Sequence, residues 1–275
     1  MIKLIGGFLL SFLVGLILMP LIIKVIRKLS CSQTILKYVE VHQSKQGTPT
    51  MGGVVFFITT LIVVVCLINY STPLAMCLGV GLGFSIIGFM DDFIKVKLKQ
   101  NLGLRPYQKI VGQVGIAIIF ALYIYYFSPN KCVIYLPFTF KAIDLGFWII
   151  PLVIVVCLAT TNSVNLTDGL DGLAGGVSVV YSGIFIAIIS IFIGLSFNAG
   201  ESEMFVSMYS DIRLLLAIFM ASIMAFLVFN TNKASIFMCR GTAAPGKGGE
   251  TLGTHQEAED SRVLPVRADT QVSGQ

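Results

Sequence analysis

The sequence predicts an all-α polytopic membrane protein of about seven transmembrane helices. Hydrophobic residues make up 56% of the 275 positions and charged residues only 12%, where a soluble domain carries about 25% charged residues. Mean hydropathy is +0.88, and apolar runs long enough to cross a bilayer recur along the chain. No soluble catalytic domain is visible. The formal charge of +5 says little by itself, because in a membrane protein the placement of Lys and Arg matters more than their sum; no nucleic-acid partner is expected.

The runs fall near 4–26, 52–70, 74–90, 110–127, 147–161, 173–195 and 212–229. The first lacks an obvious small-residue cleavage site and is expected to be a retained helix. The connection after it carries Arg27, Lys28, Lys37 and Lys45, and the connection after the third carries Lys95, Lys97, Lys99, Arg105 and Lys109. The segment 69–73 has no charge, and the one after the sixth run has Glu201, Glu203 and Asp211 before Arg213. Positive-inside bias therefore puts the N-terminus outside and the connections after helices one, three, five and seven in the cytoplasm.

Residues 128–146 alternate β-formers with polar residues around Pro137, which predicts a short external hairpin. Gly79, Gly81, Gly83 and Gly88 predict close helix packing along the third run. Cysteines 31, 66, 77, 132, 157 and 239 show no paired spacing and read as packing residues, neither a disulfide nor a zinc framework. After Met238 no long apolar run remains, and 239–275 has the composition of a disordered polar tail.

Three polar motifs interrupt this apolar background, all expected on the cytoplasmic side. The densest is Asn162-Ser-Val-Asn-Leu-Thr-Asp-Gly-Leu-Asp-Gly, which spaces Asn162, Asn165, Asp168 and Asp171 by three. Gly169 and Gly172 argue against a regular helix there. Carboxylates and carboxamides converging on one point suit a divalent metal with oxygen ligands, or phosphates held through one; a plainer role is N-capping of the sixth helix by Asp171 or Thr167. The second motif places Asp91 and Asp92 at the end of the third run, with Lys95 four residues after Asp91. That spacing favours a helical ion pair, while adjacent helical carboxylates point about 100° apart, so one can face a site as the other orients a neighbour. The third, Lys45-Gln-Gly-Thr-Pro-Thr-Met-Gly-Gly, offers a cation and a pliable backbone but lacks the Gly-Lys-Ser/Thr order of a Walker A loop. His42 reads as an ordinary loop residue, and Lys109 as a phosphate contact or a positive-inside anchor.

Taken in order, segments 45–53, 88–95 and 162–174 resemble the polyprenyl-phosphate N-acetylhexosamine-1-phosphate transferases, most closely the branch that handles muramoyl-pentapeptide. The resemblance covers about residues 1–238. It implies transfer of phospho-MurNAc-pentapeptide from UDP-MurNAc-pentapeptide to undecaprenyl phosphate, giving lipid I and UMP with Mg²⁺ as cofactor, in the bacterial inner membrane. It further implies catalytic roles for Asp91, Asp92 and Asp168, substrate contacts from Lys45, Thr48, Lys109, Asn162, Asn165 and Asp171, and metal ligation by Asp168 and Asp92. The apolar exterior contacts membrane lipid, and a homodimer is open.

Family members are expected to continue into Gly-Asp-Thr-Gly-Ser, whose Asp is the principal Mg²⁺ ligand, then a His-rich loop and further helices to ten in all. Here Met238 leads into Cys239-Arg240-Gly241-Thr242. The expectation is an incomplete membrane core over 1–238 and a tail over 239–275 unlike the family. A shifted reading frame near Cys239 is the hypothesis; sequencing the coding DNA tests it, and an intact frame in independent isolates sinks it. Competing functions are a UDP-GlcNAc-using relative, a non-catalytic remnant, and a transporter, the last disfavoured because transport sites lie near the midplane on interrupted helices.

Overall fold

The computed structural model describes residues 2–28, 52–67, 71–97, 103–127, 132–135, 142–168, 172–198 and 202–230. Lys45, Thr48, Asp171 and the 239–275 tail lie outside them. The described residues form seven α-helices: α1 (Ile2–Lys28), α2 (Gly53–Leu67), α3 (Thr72–Lys97), α4 (Pro106–Phe127), α5 (Ile149–Thr167), α6 (Leu173–Asn198) and α7 (Glu203–Asn230). Six are long and apolar enough to cross a membrane, and α2, at 15 residues, is shorter. Between α4 and α5 the expected hairpin forms from β1 (Val133–Tyr135) and β2 (Ala142–Asp144), antiparallel with Ile134 opposite Ile143.

The helix α7 is the hub, packing on α1, α2, α3 and α6; 44% of its apolar window is buried, against 6% for α3, α5 or α6. Lipid offers no hydrophobic force to press apolar helices together, so small residues and interhelical hydrogen bonds carry the association. Both are present. A Cβ on Gly15 would lie 2.7 Å from the Ala225 Cβ, and one on Gly175 2.7 Å from Leu227 Cδ2, so α1 and α6 approach α7 as closely as glycine allows. The Ser11 hydroxyl donates to the Ile218 carbonyl at 2.7 Å, and Thr60 and Ser222 hydroxyls meet at 3.1 Å. Phe56 of α2 packs edge-on against Phe219 and Phe226 of α7.

The outward surface is that of a bilayer protein. On α1, Ile5, Leu9, Leu13, Ile17, Leu21 and Val25 recur every four residues and are 52–65% exposed, a slowly drifting helical stripe that lipid solvates and water does not. This is a multi-pass membrane protein.

Several expected boundaries shift. The helix α5 continues through Asn162 and Asn165 to Thr167, where the two glycines predicted an irregular turn from Asn162 onward. Its polar residues satisfy themselves locally: Thr160, Thr161, Asn162 and Thr167 each donate to the carbonyl four residues back. Thr167 is thus turned into its own helix and does not cap α6. The helix α3 runs past Asp91 and Asp92 to Lys97, so both lie inside a helix and not at its end. Among the third-run glycines, Gly83 packs against Ile116 of α4 and Gly81 against Phe57, whereas Cβ atoms on Gly79 and Gly88 would meet nothing within 4 Å.

Candidate active site

Because successive helices alternate in direction, the C-terminal turns of α3 and α5 and the N-terminal turns of α2 and α4 reach the same end of the bundle. There they border a cavity of about 700 Å³. Its polar lining comes from Asp91 and Asp92 of α3, Lys109 and Gln113 of α4, and Asn165 and Asp168 of α5. Its apolar lining includes Phe57 and Leu61 of α2, Leu82 and Ile86 of α3, and Phe219 and Ile223 of α7. Gly53, where the 45–53 motif ends, also lines it.

The α3 carboxylates are held differently. Lys95 Nζ lies 2.7 Å from Asp91 Oδ2 and 3.5 Å from Asp92 Oδ1, with all three residues at least nine-tenths buried. The i,i+4 pair expected from the spacing therefore forms, and burial makes it stronger than a surface pair. The other Asp91 oxygen accepts the Leu104 N–H at 2.8 Å. That bond requires glycine at 103, because a Cβ there would strike Asp91 Oδ1 and lie 2.8 Å from both the Asp91 carbonyl oxygen and Lys95 Cε. Asp91 is thus an anchor between α3 and the turn into α4, with both oxygens occupied by protein donors.

Lys109 is placed by a helix start of defined chemistry. Pro106 takes the first helical position, where its missing N–H costs nothing, and Gln108 Oε1 reaches back to accept the Arg105 N–H at 3.1 Å, the side-chain half of a capping box. The ammonium then stands in the first turns of α4, bordering the cavity.

On α5, Asn165 and Asp168 line the cavity, and Asp168 ends the helix with φ −77° and ψ 41°. Asn162 is turned away from open space: its Nδ2 donates to Gln113 Oε1 at 3.0 Å and to the Leu158 carbonyl at 2.8 Å. At the end of the motif, Gly172 adopts φ +77°, donates its N–H to Asn230 Oδ1 at 2.8 Å, and its carbonyl accepts from the Gly176 N–H in the first turn of α6. Asn230, 4% exposed, so ties the turn before α6 to the end of α7.

Sequence reasoning missed three of these residues: Gln113, Gly103 and Asn230. A lone carboxamide in an apolar helix was the available signal for Gln113 and Asn230; Gly103 had none, since its constraint comes from Asp91, twelve residues upstream.

Among the described residues no three His, Cys, Asp or Glu close into a metal cluster. The donors at this cavity are nevertheless the kind a hard divalent cation takes. Asp92, Asp168 and Asn165 offer carboxylate and carboxamide oxygens and leave room for water and phosphate oxygens, which complete such a coordination shell.

Comparison with known proteins agrees with this architecture. The glycosyl transferase family 4 model matches residues 74–241, and signature 1 of the phospho-N-acetylmuramoyl-pentapeptide-transferases matches 45–57. The phospho-N-acetylmuramoyl-pentapeptide-transferase of Clostridioides difficile is 35% identical over 259 residues, covering 94% of this chain and 76% of that protein. Those of a Geobacillus species and Bacillus subtilis are each 37% identical, over 83% and 84% of this chain and 67% and 68% of theirs. A cavity lined by residues of three separated motifs, a family match over most of the helical region and relatives at this identity place the chain in the phospho-N-acetylmuramoyl-pentapeptide transferase family.

Proposed function

We propose that this chain transfers phospho-MurNAc-pentapeptide from UDP-MurNAc-pentapeptide to undecaprenyl phosphate, giving lipid I and UMP in peptidoglycan synthesis. The observation that carries the proposal is a single cavity lined both by carboxylates and an ammonium and by aromatic and aliphatic side chains. A site that joins a charged nucleotide sugar to a lipid phosphate needs both. The cavity opens to the cytoplasm of a bacterial inner membrane, in keeping with the Lys and Arg bias of the α1–α2 and α3–α4 connections.

In the reaction an oxygen of the lipid phosphate attacks the sugar-linked phosphorus of the UDP-sugar. A new P–O bond forms as the bond to the bridging oxygen breaks, and UMP leaves with that electron pair. Lys109 neutralises phosphate charge at the mouth of α4. Asp92 takes the proton of a monoprotonated lipid phosphate or orients its attacking oxygen. Asp91 serves indirectly, fixing Lys95 and the Gly103–Leu104 turn so that Asp92 keeps its place. Asn165 and Asp168 hold the nucleotide-sugar side, joined by Asn162 through Gln113 and by Lys45, Thr48 and Asp171 from flanking segments. Asp92 and Asp168 are the residues that would hold Mg²⁺, which would spread the charge developing between the phosphates.

The test is UMP release in detergent with the full chain. Asp92→Asn and Asp168→Asn are each expected to lower turnover at least about 100-fold, and Asp168→Asn to raise the Mg²⁺ concentration needed for half-maximal rate. UMP release from UDP-GlcNAc in preference to UDP-MurNAc-pentapeptide refutes the substrate assignment; no release from either refutes the activity and favours a non-catalytic role.

A further inference from the structure

Gln113 follows Lys109 by four residues on α4, so the two share a helix face, and both border the cavity. Gln113 is 1% exposed. Burying a carboxamide at that depth is costly unless both ends find partners. One end has: Asn162 Nδ2 donates to Gln113 Oε1 at 3.0 Å, and the same nitrogen donates to the Leu158 carbonyl at 2.8 Å.

The second bond decides the orientation of both amides. A main-chain carbonyl only accepts, so it holds the NH₂ end of Asn162 in place. That NH₂ in turn demands the oxygen of Gln113, because an inverted Gln113 sets two donors against each other. The Gln113 NH₂ is therefore left on the far side of its own amide. Among the described residues no acceptor meets it, and what the side chain borders there is the cavity.

We infer that Gln113 Nε2 is a substrate-binding donor for a phosphoryl oxygen, held in its donating orientation by the relay from Leu158 through Asn162. The inference rests on the transferase reading of the cavity. A phosphoryl oxygen is the acceptor that fits. It is drawn to this face of α4 by Lys109, and it must be held near the Asp92 and Asp168 carboxylates, where a neutral donor helps to offset their repulsion. Two substrates carry such an oxygen, the nucleotide-sugar diphosphate and the lipid monophosphate, and the experiment separates them.

The measurement is equilibrium binding of UDP-MurNAc-pentapeptide and, separately, of a short-chain polyprenyl phosphate to the full chain in detergent, beside its thermal unfolding. Gln113→Glu keeps the shape and the bond from Asn162 but replaces the cavity donor with an anionic oxygen. Asn162→Asp removes the NH₂ that orients Gln113, whose own NH₂ then turns toward the new carboxylate and away from the cavity. Both substitutions are expected to weaken the same one of the two ligands by about 10-fold or more and to leave the other within about 2-fold; each also lowers the unfolding temperature, since it puts a carboxylate into a buried site, and the unequal effect on the two ligands is what separates binding from stability. The weakened ligand identifies the source of the phosphoryl oxygen. Unaltered affinity for both ligands in Gln113→Glu overturns the inference alone, as does a parallel loss of both affinities and of thermal stability, which marks a mere tie between α4 and α5. Failure of the unmutated chain to bind either ligand overturns the transferase reading and this inference with it.

Discussion

Substituting Gly103 by Ala tests whether Asp91 is an anchor. The added methyl would overlap Asp91 Oδ1 and lie 2.8 Å from the Asp91 carbonyl oxygen and from Lys95 Cε. The carbonyl belongs to a helix and cannot retreat without losing its own hydrogen bond, so the turn into α4 has to move instead. That movement breaks the 2.8 Å bond from the Leu104 N–H to Asp91. A hydrogen bond to a charged group contributes about 1.5–3 kcal/mol, and the expected loss of stability for Gly103→Ala is of that order. Unfolding in detergent measures it, and UMP release should show a larger fall in kcat than rise in KM, because Asp92 loses its position while the nucleotide contacts persist. In an Asp91→Ala background the carboxylate is already gone and only the contacts with the main-chain carbonyl at 91 and with Lys95 Cε remain, so the second substitution should cost at least about 1 kcal/mol less than in the unmutated chain. A cost below about 0.5 kcal/mol, the range of ordinary surface substitutions, or strict additivity with Asp91→Ala, refutes the argument.

Two further outcomes follow from the packing. Gly15→Ala brings two methyl carbons to 2.7 Å across the α1–α7 contact; overpacking of this kind costs about 1–3 kcal/mol, visible as a lower unfolding temperature, and an unchanged temperature would mean that α1 is not held at that distance. Asn230→Ala removes the acceptor for the Gly172 N–H and leaves that donor in a partly buried site, so stability should fall by about 1–3 kcal/mol and KM for the nucleotide sugar should rise as the backbone at Gly172 loosens. An unaltered KM would separate Gly172 from substrate binding.

Much of the site was legible as a breach of composition. In a chain with so few charges, Asp91, Asp92, Lys109, Asn165 and Asp168 each break an apolar pattern, and a polar group near a bilayer needs a partner or a task. All five border one cavity. Helix ends were less legible, because Thr and Asn at the end of an apolar run suggest a turn, while Thr160, Thr161 and Asn162 in fact bond back to carbonyls of α5 and prolong it. On α3 the i,i+4 spacing picked out Asp91 as the Lys95 partner, but nothing in the order of the two adjacent Asp residues says which one accepts the Leu104 N–H.

The sequence by itself determined that the chain spans a membrane several times, since a run of apolar residues is a solvent preference carried residue by residue and needs no partner to be expressed. It also marked the three polar motifs that stand out from the apolar background. The tertiary structure alone decided which members of those motifs face open space. Asn162 is spent on orienting Gln113, Asp91 on receiving the Leu104 N–H, and Gly103 and Asn230 matter only because another helix comes within hydrogen-bonding or van der Waals reach. These are distances between segments far apart in the chain, and no local pattern of residue types encodes them.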